Sequence, residues 1–66
     1  MDELIGITAG EIWKFLTGKE KATVMEIKSQ LGVSNTLLHL SLGWLLRENK
    51  IEIIESGHTY SVSLKK

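Results

Sequence analysis

Few residues in this chain could perform chemistry, and their arrangement argues against catalysis. His39 and His58 lie far apart, and there is no cysteine, so neither a thiolate cluster nor metal-ligand spacing is available for zinc. Glu55, Ser56 and His58 place a carboxylate, a hydroxyl and an imidazole within one turn. Adjacency alone does not build a nucleophile, a base and an oxyanion site. Gly32, Gly43 and Gly57 follow no phosphate-cradling pattern. The chain is therefore expected to have no catalytic residue, cofactor or metal, and no small-molecule substrate is indicated.

The other chemistry these residue types could support is nucleic-acid contact. Ser34, Asn35, Thr36, His39 and Arg47 could meet base edges or phosphates, with Lys28, Lys50, Lys65 and Lys66 as phosphate partners. Charge weighs against that use. Eight Lys and Arg balance eight Asp and Glu, for a formal net charge of zero, whereas DNA-binding domains draw much of their affinity from a basic excess. From Ser34 to Asn49 the one Lys or Arg is Arg47. DNA remains the alternative reading.

The elements that would position these residues follow from periodicity. Sixty-six residues make one small domain, residues 1–66, with no room for a second core. Residues 2–17 read as a first helix with Ile5, Ala9, Ile12 and Leu16 on one stripe, flanked by Leu4, Trp13 and Phe15. Gly6 and Gly10 weaken it, and Thr17-Gly18-Lys19 stops it. Thr23 and Glu26 have capping-box spacing, so a second helix should begin at Val24 and end at Gly32. A short strand is expected at Lys21–Thr23, before that helix. Ser34 caps a third helix running to about Glu48, with Asn49 as its stop.

After Ile51 the period changes to two, which predicts a hairpin. A Ser56-Gly57 loop would pair Glu55 with His58, Ile53 with Tyr60 and Ile51 with Val62. Every large apolar side chain except Ile54 then shares one face. The expected fold is α+β: three helices with a C-terminal β-hairpin. No apolar run is long enough for a membrane span, and the N-terminus lacks a basic opening. A cytoplasmic protein is expected.

Together, TVMEIKSQLGVSNTLLHLSLGWLLRENKIEI and IEIIESGHTYSVSL resemble the winged helix-turn-helix superfamily. More narrowly, GEIWKFL followed by LGWLLRENKIEI resembles a family of small stand-alone prokaryotic winged-helix proteins of unassigned function. The resemblance implies a recognition helix with Leu38, Leu42 and Leu45 on its buried side. It places Thr36, Leu37, His39, Leu40, Gly43 and Trp44 on or around its groove-facing side. The implied wing tip, Glu55 to Thr59, offers no Lys or Arg. Such proteins generally bind DNA, and a minority have become dimerisation or protein-contact modules.

Helical geometry splits the apolar residues of the third helix into two groups. Leu38, Leu42, Leu45 and Leu46 form a core stripe; Leu37, Leu40 and Trp44 form a second stripe well around the cylinder. Either the first helix, with its wide apolar face, covers the second stripe, or another chain does. The expectation is a protein interface at Leu37, Leu40, Ser41 and Trp44, with a second copy or another protein as partner. Ser41 and Gly43 are small enough to allow close backbone approach.

Overall fold

The computed structural model describes residues 1–65. Among them are α1 (Asp2–Leu16), β1 (Ala22–Thr23), α2 (Val24–Leu31), α3 (Asn35–Arg47), β2 (Ile51–Ser56) and β3 (Thr59–Leu64). This is the expected α+β winged-helix arrangement, and the strand before the second helix is present. Lys66, one of the phosphate partners proposed from sequence, lies outside the described residues.

Local chemistry sets the element ends. The Thr23 hydroxyl accepts the Glu26 N–H at 3.0 Å, and the Glu26 carboxylate accepts the Thr23 N–H at 3.0 Å, closing the capping box. These bonds, first the backbone N–H and then the hydroxyl, hold the Glu26 carboxyl below its ordinary value of 4.5. Its contribution to stability is therefore present above that value and is lost as pH falls through the lower folded value. Gly32, with φ 64, takes the left-handed conformation that ends α2.

Ser34 caps α3 by accepting the Leu37 N–H at 3.1 Å. At the other end the Asn49 N–H donates to the Leu46 carbonyl and the Lys50 N–H to the Leu45 carbonyl, each at 3.0 Å. With Asn49 at φ 62, this is a Schellman closure with asparagine in place of the usual glycine. Asn49→Ala should cost about 1 kcal/mol because alanine resists the left-handed region. Asn49→Gly should keep the turn and lose only the 2.6 Å bond from Lys65 Nζ. Urea unfolding of the two variants would show the difference, and equal midpoints would exclude this account of the helix end.

The sheet order is β1-β3-β2, with both pairings antiparallel. The hairpin register differs from the sequence expectation. Ile51 pairs with Leu64, Ile53 with Val62 and Glu55 with Tyr60, so the loop is Gly57-His58 rather than Ser56-Gly57. The reason is the turn. With Gly57 at φ 62 in the first central position, glycine occupies the place that a type II′ turn demands; the other loop would put Ser56 there. Thr59 closes the turn by donating its hydroxyl to the Ser56 carbonyl at 2.9 Å. Because the shift is an even number of residues, the apolar set keeps its face, and Ile54 is exposed as expected.

The core joins all three helices to the sheet. Ile12 and Leu16 of α1, Ile27 of α2, Leu38 of α3 and Val62 of β3 have no exposed surface. Leu42, Leu45 and Ile51 complete it, with Phe15, Val24, Leu31 and Ile53 packed around them. Leu46, expected in the core stripe, is 44% exposed. It sits at the sheet-facing flank of α3, where it lines a hollow with Ile53 and Tyr60 rather than joining the core.

Candidate functional site

α1 lies along α3, and the contact explains how the second stripe is divided. Ser41, expected on an open interface, is fully buried and donates its hydroxyl to the Ile5 carbonyl of α1 at 3.4 Å. That corrects its assignment. Its small side chain serves the packing of two helices within one chain, where a larger group would push them apart. Leu37 is half-buried. Leu40 and Trp44 remain 44% and 45% exposed. α1 therefore covers one edge of the stripe and leaves the other open.

At that open edge a shallow groove of about 280 Å³ separates the helices. Gly6, Ala9, Gly10 and Trp13 line it from α1, Trp44 and Leu45 from α3, and Lys50 closes one end. Trp13 is 46% exposed, so the two tryptophans of the chain flank one groove, each half in water. Gly6, Gly10 and Gly43 lie inside helices, and a Cβ built on any of them would meet nothing within 4 Å. Each costs about 1 kcal/mol relative to alanine in a helix interior. No steric neighbour among the described residues requires them.

Gly6, Gly10 and Trp13 do not appear among the residues predicted as a site from sequence. The signal was available, since Gly6 and Gly10 are four apart and Trp13 follows at three, which places them on one side of a helix. On α1 alone the pattern reads as a weakness of the helix; the position of α3 beside it gives the glycines a place in a groove.

The residues suggested for DNA are spread over α3 and its cap. The Ser34 hydroxyl is engaged in capping. His39 donates its Nδ1–H to the Asn35 carbonyl one turn earlier at 2.7 Å, leaving Nε2 as its free ring nitrogen. Asn35, Thr36 and Arg47 are exposed. Of the lysines, Lys28 is half-buried, and Lys65 is held by Asn49. On helical geometry, Thr36, Gly43 and Arg47 form the outermost line of α3. That line carries one cation, without the guanidinium and amide pairs that usually read bases. Among the described residues, no three or more His, Cys, Asp or Glu come together in a group that could hold a metal ion. No helix of the described residues is long and apolar enough to cross a membrane.

Residues 1–64 match a family described as a winged helix-turn-helix domain, DUF2582. The chain belongs to that family. It is also 33% identical over 63 residues to the uncharacterized protein MJ1608 of Methanocaldococcus jannaschii, a match spanning 92% of this chain and 90% of that protein. Membership agrees with the fold and with the resemblance to small winged-helix proteins of unassigned function. A fold of this kind can serve DNA contact or protein contact, so the surface chemistry must choose between them.

Proposed function

We propose that the chain is a non-enzymatic winged-helix binding module that pairs with a second copy of itself through the α1–α3 groove. The observation that carries this reading is the pair of helical glycines, Gly6 and Gly10, which line that groove and which no steric neighbour among the described residues requires. Glycine on a helix surface lets another backbone come closer than any side chain would allow. Two half-exposed tryptophans beside those glycines supply the apolar area. The contact residues are Leu40 and Trp44, as expected from sequence, with Leu37 at the edge, Trp13 added from α1 and Ser41 removed.

Magnitudes favour a weak pair. Trp13, Trp44 and Leu40 leave on the order of 300 Å² of apolar surface open, near the lower end of patches that mark interaction sites. Covering that area on two copies would contribute about 15 kcal/mol before the cost of association, which is about 4–15 kcal/mol. The surplus of about 0–11 kcal/mol is cut further by ordering of the interface side chains and desolvation of their polar neighbours, so a micromolar or weaker two-fold dimer is the expected product.

Sedimentation of the wild type beside Leu40→Glu tests the reading. The wild type should shift from monomer to dimer with rising concentration, and Leu40→Glu should stay monomeric with its helical circular dichroism intact. Tryptophan fluorescence that is insensitive to concentration, in a wild type that sediments as a monomer throughout, would remove self-association.

The second reading is DNA contact through Ser34, Asn35, Thr36, His39 and Arg47, supported by the winged helix-turn-helix fold of the family. Its distinguishing property is salt dependence. Phosphate contacts weaken steeply as salt rises, whereas apolar association holds or strengthens in kosmotropic salt.

A further inference from the structure

On the other flank of α3, facing the hairpin, two hollows adjoin. One, of about 290 Å³, lies between α2, the start of α3 and the hairpin tip, with Met25, Lys28, Asn35 and His58 around it. The other, of about 320 Å³, runs along α3 past His39, Leu42, Leu46 and Ile53. Val24 and Tyr60 line both, so the two hollows meet at these side chains and are taken together as a trough.

The geometry points to this trough as a binding site for a small aromatic carboxylic acid. Three observations converge on that chemistry. The floor is apolar along its length, through Val24, Leu42, Leu46 and Ile53. Tyr60, 50% exposed, offers a flat face for a ring to stack against. None of the lining residues is acidic, although the chain holds eight carboxylate side chains, and Lys28 stands half-buried at one end. A lysine whose side chain is partly buried against a hollow lined by no carboxylate is matched by an anion that arrives on an apolar body. A backbone phosphate of DNA would use the cation and leave the apolar floor unused. The site shares no residue with the α1–α3 groove, so it stands or falls apart from self-association.

Two-dimensional amide NMR with 2-naphthoate as the probe tests the assignment, with 2-naphthylmethylammonium as the charge-reversed control. Naphthoate should move the amides of Val24, Met25, Asn35 and Tyr60 with a Kd of about a millimolar, the range its size permits. The ammonium compound should bind at least tenfold more weakly. Lys28→Met should weaken naphthoate about fivefold with unchanged far-ultraviolet circular dichroism, and Lys28→Arg should restore it. Equal binding of the two compounds, an unchanged Kd in Lys28→Met, or shifts centred on Trp13 and Trp44 would each overturn the proposal. So would a short DNA duplex that moves the trough amides when naphthoate does not.

Discussion

A chain carrying Gly6→Ala, Gly10→Ala and Gly43→Ala together is expected to melt roughly 5–20 °C above the wild type at low protein concentration. Each site is helical, and an added Cβ meets nothing within 4 Å, so no clash opposes the gain in helix propensity. Each change contributes about 0.4–1 kcal/mol, in large part by restricting the unfolded chain. In a domain this small, 1 kcal/mol moves the melting temperature by roughly 4–8 °C. The methyl groups added at Gly6 and Gly10 stand in the groove where a second copy would bring its backbone, so association of the more stable variant should weaken, while the one at Gly43 adds only helix propensity. Calorimetry at low concentration paired with sedimentation reads both effects. A triple variant that melts no higher than the wild type would mean the glycines answer a need inside the chain. One that melts higher and associates as well as before would leave the folding argument intact and displace the groove as the interface.

Leu38→Ala is expected to remove much of the stability of the domain. Leu38 is fully buried, and truncating a buried leucine costs about 2–5 kcal/mol through lost transfer energy and the cavity left behind. A domain of 66 residues has roughly 3–10 kcal/mol in total. The urea midpoint should therefore fall steeply with little change in slope, and the variant should be partly unfolded at 37 °C. Leu46→Ala is the internal comparison. Its side chain is 44% exposed, so its loss should cost about 1 kcal/mol or less. Equal costs at the two positions would contradict the orientation of α3.

Both substitutions bear on how much of the molecule could be read from the chain. Element types and order were legible because local signals agreed: the Thr23–Glu26 box, the left-handed stops at Gly32 and Asn49, and the change of period at Ile51. The hairpin register was less so, because registers two residues apart bury the same face. The conformation of Gly57 decided it, and a choice of turn type settles that only when the whole loop is considered. Leu46 was misplaced because it lies at the margin of the buried arc, where helical angle alone cannot distinguish core from flank.

The candidate surface was half legible. The exposure of Leu40 and Trp44 could be read from their spacing on one helix, since no arrangement that buries Leu38, Leu42 and Leu45 buries them equally. Ser41 and Trp13 depended on where α1 crosses α3, a property of two helices that no single period encodes. The trough was not legible at all. Its walls come from α2, α3 and the hairpin, and Val24 and Tyr60 are far apart in the chain.

The sheet order carries a consequence for how the protein is made. β3 is the last of the three strands in sequence, yet it lies between β1 and β2 and supplies every ladder partner for both. On a ribosome the helices can form as they emerge, but neither outer strand has a neighbour until Thr59–Leu64 has left the exit tunnel. Until then the apolar side chains of Ala22 and Ile51 have no sheet to close over them. Closure of the sheet therefore waits for β3 and follows the emergence of every helix.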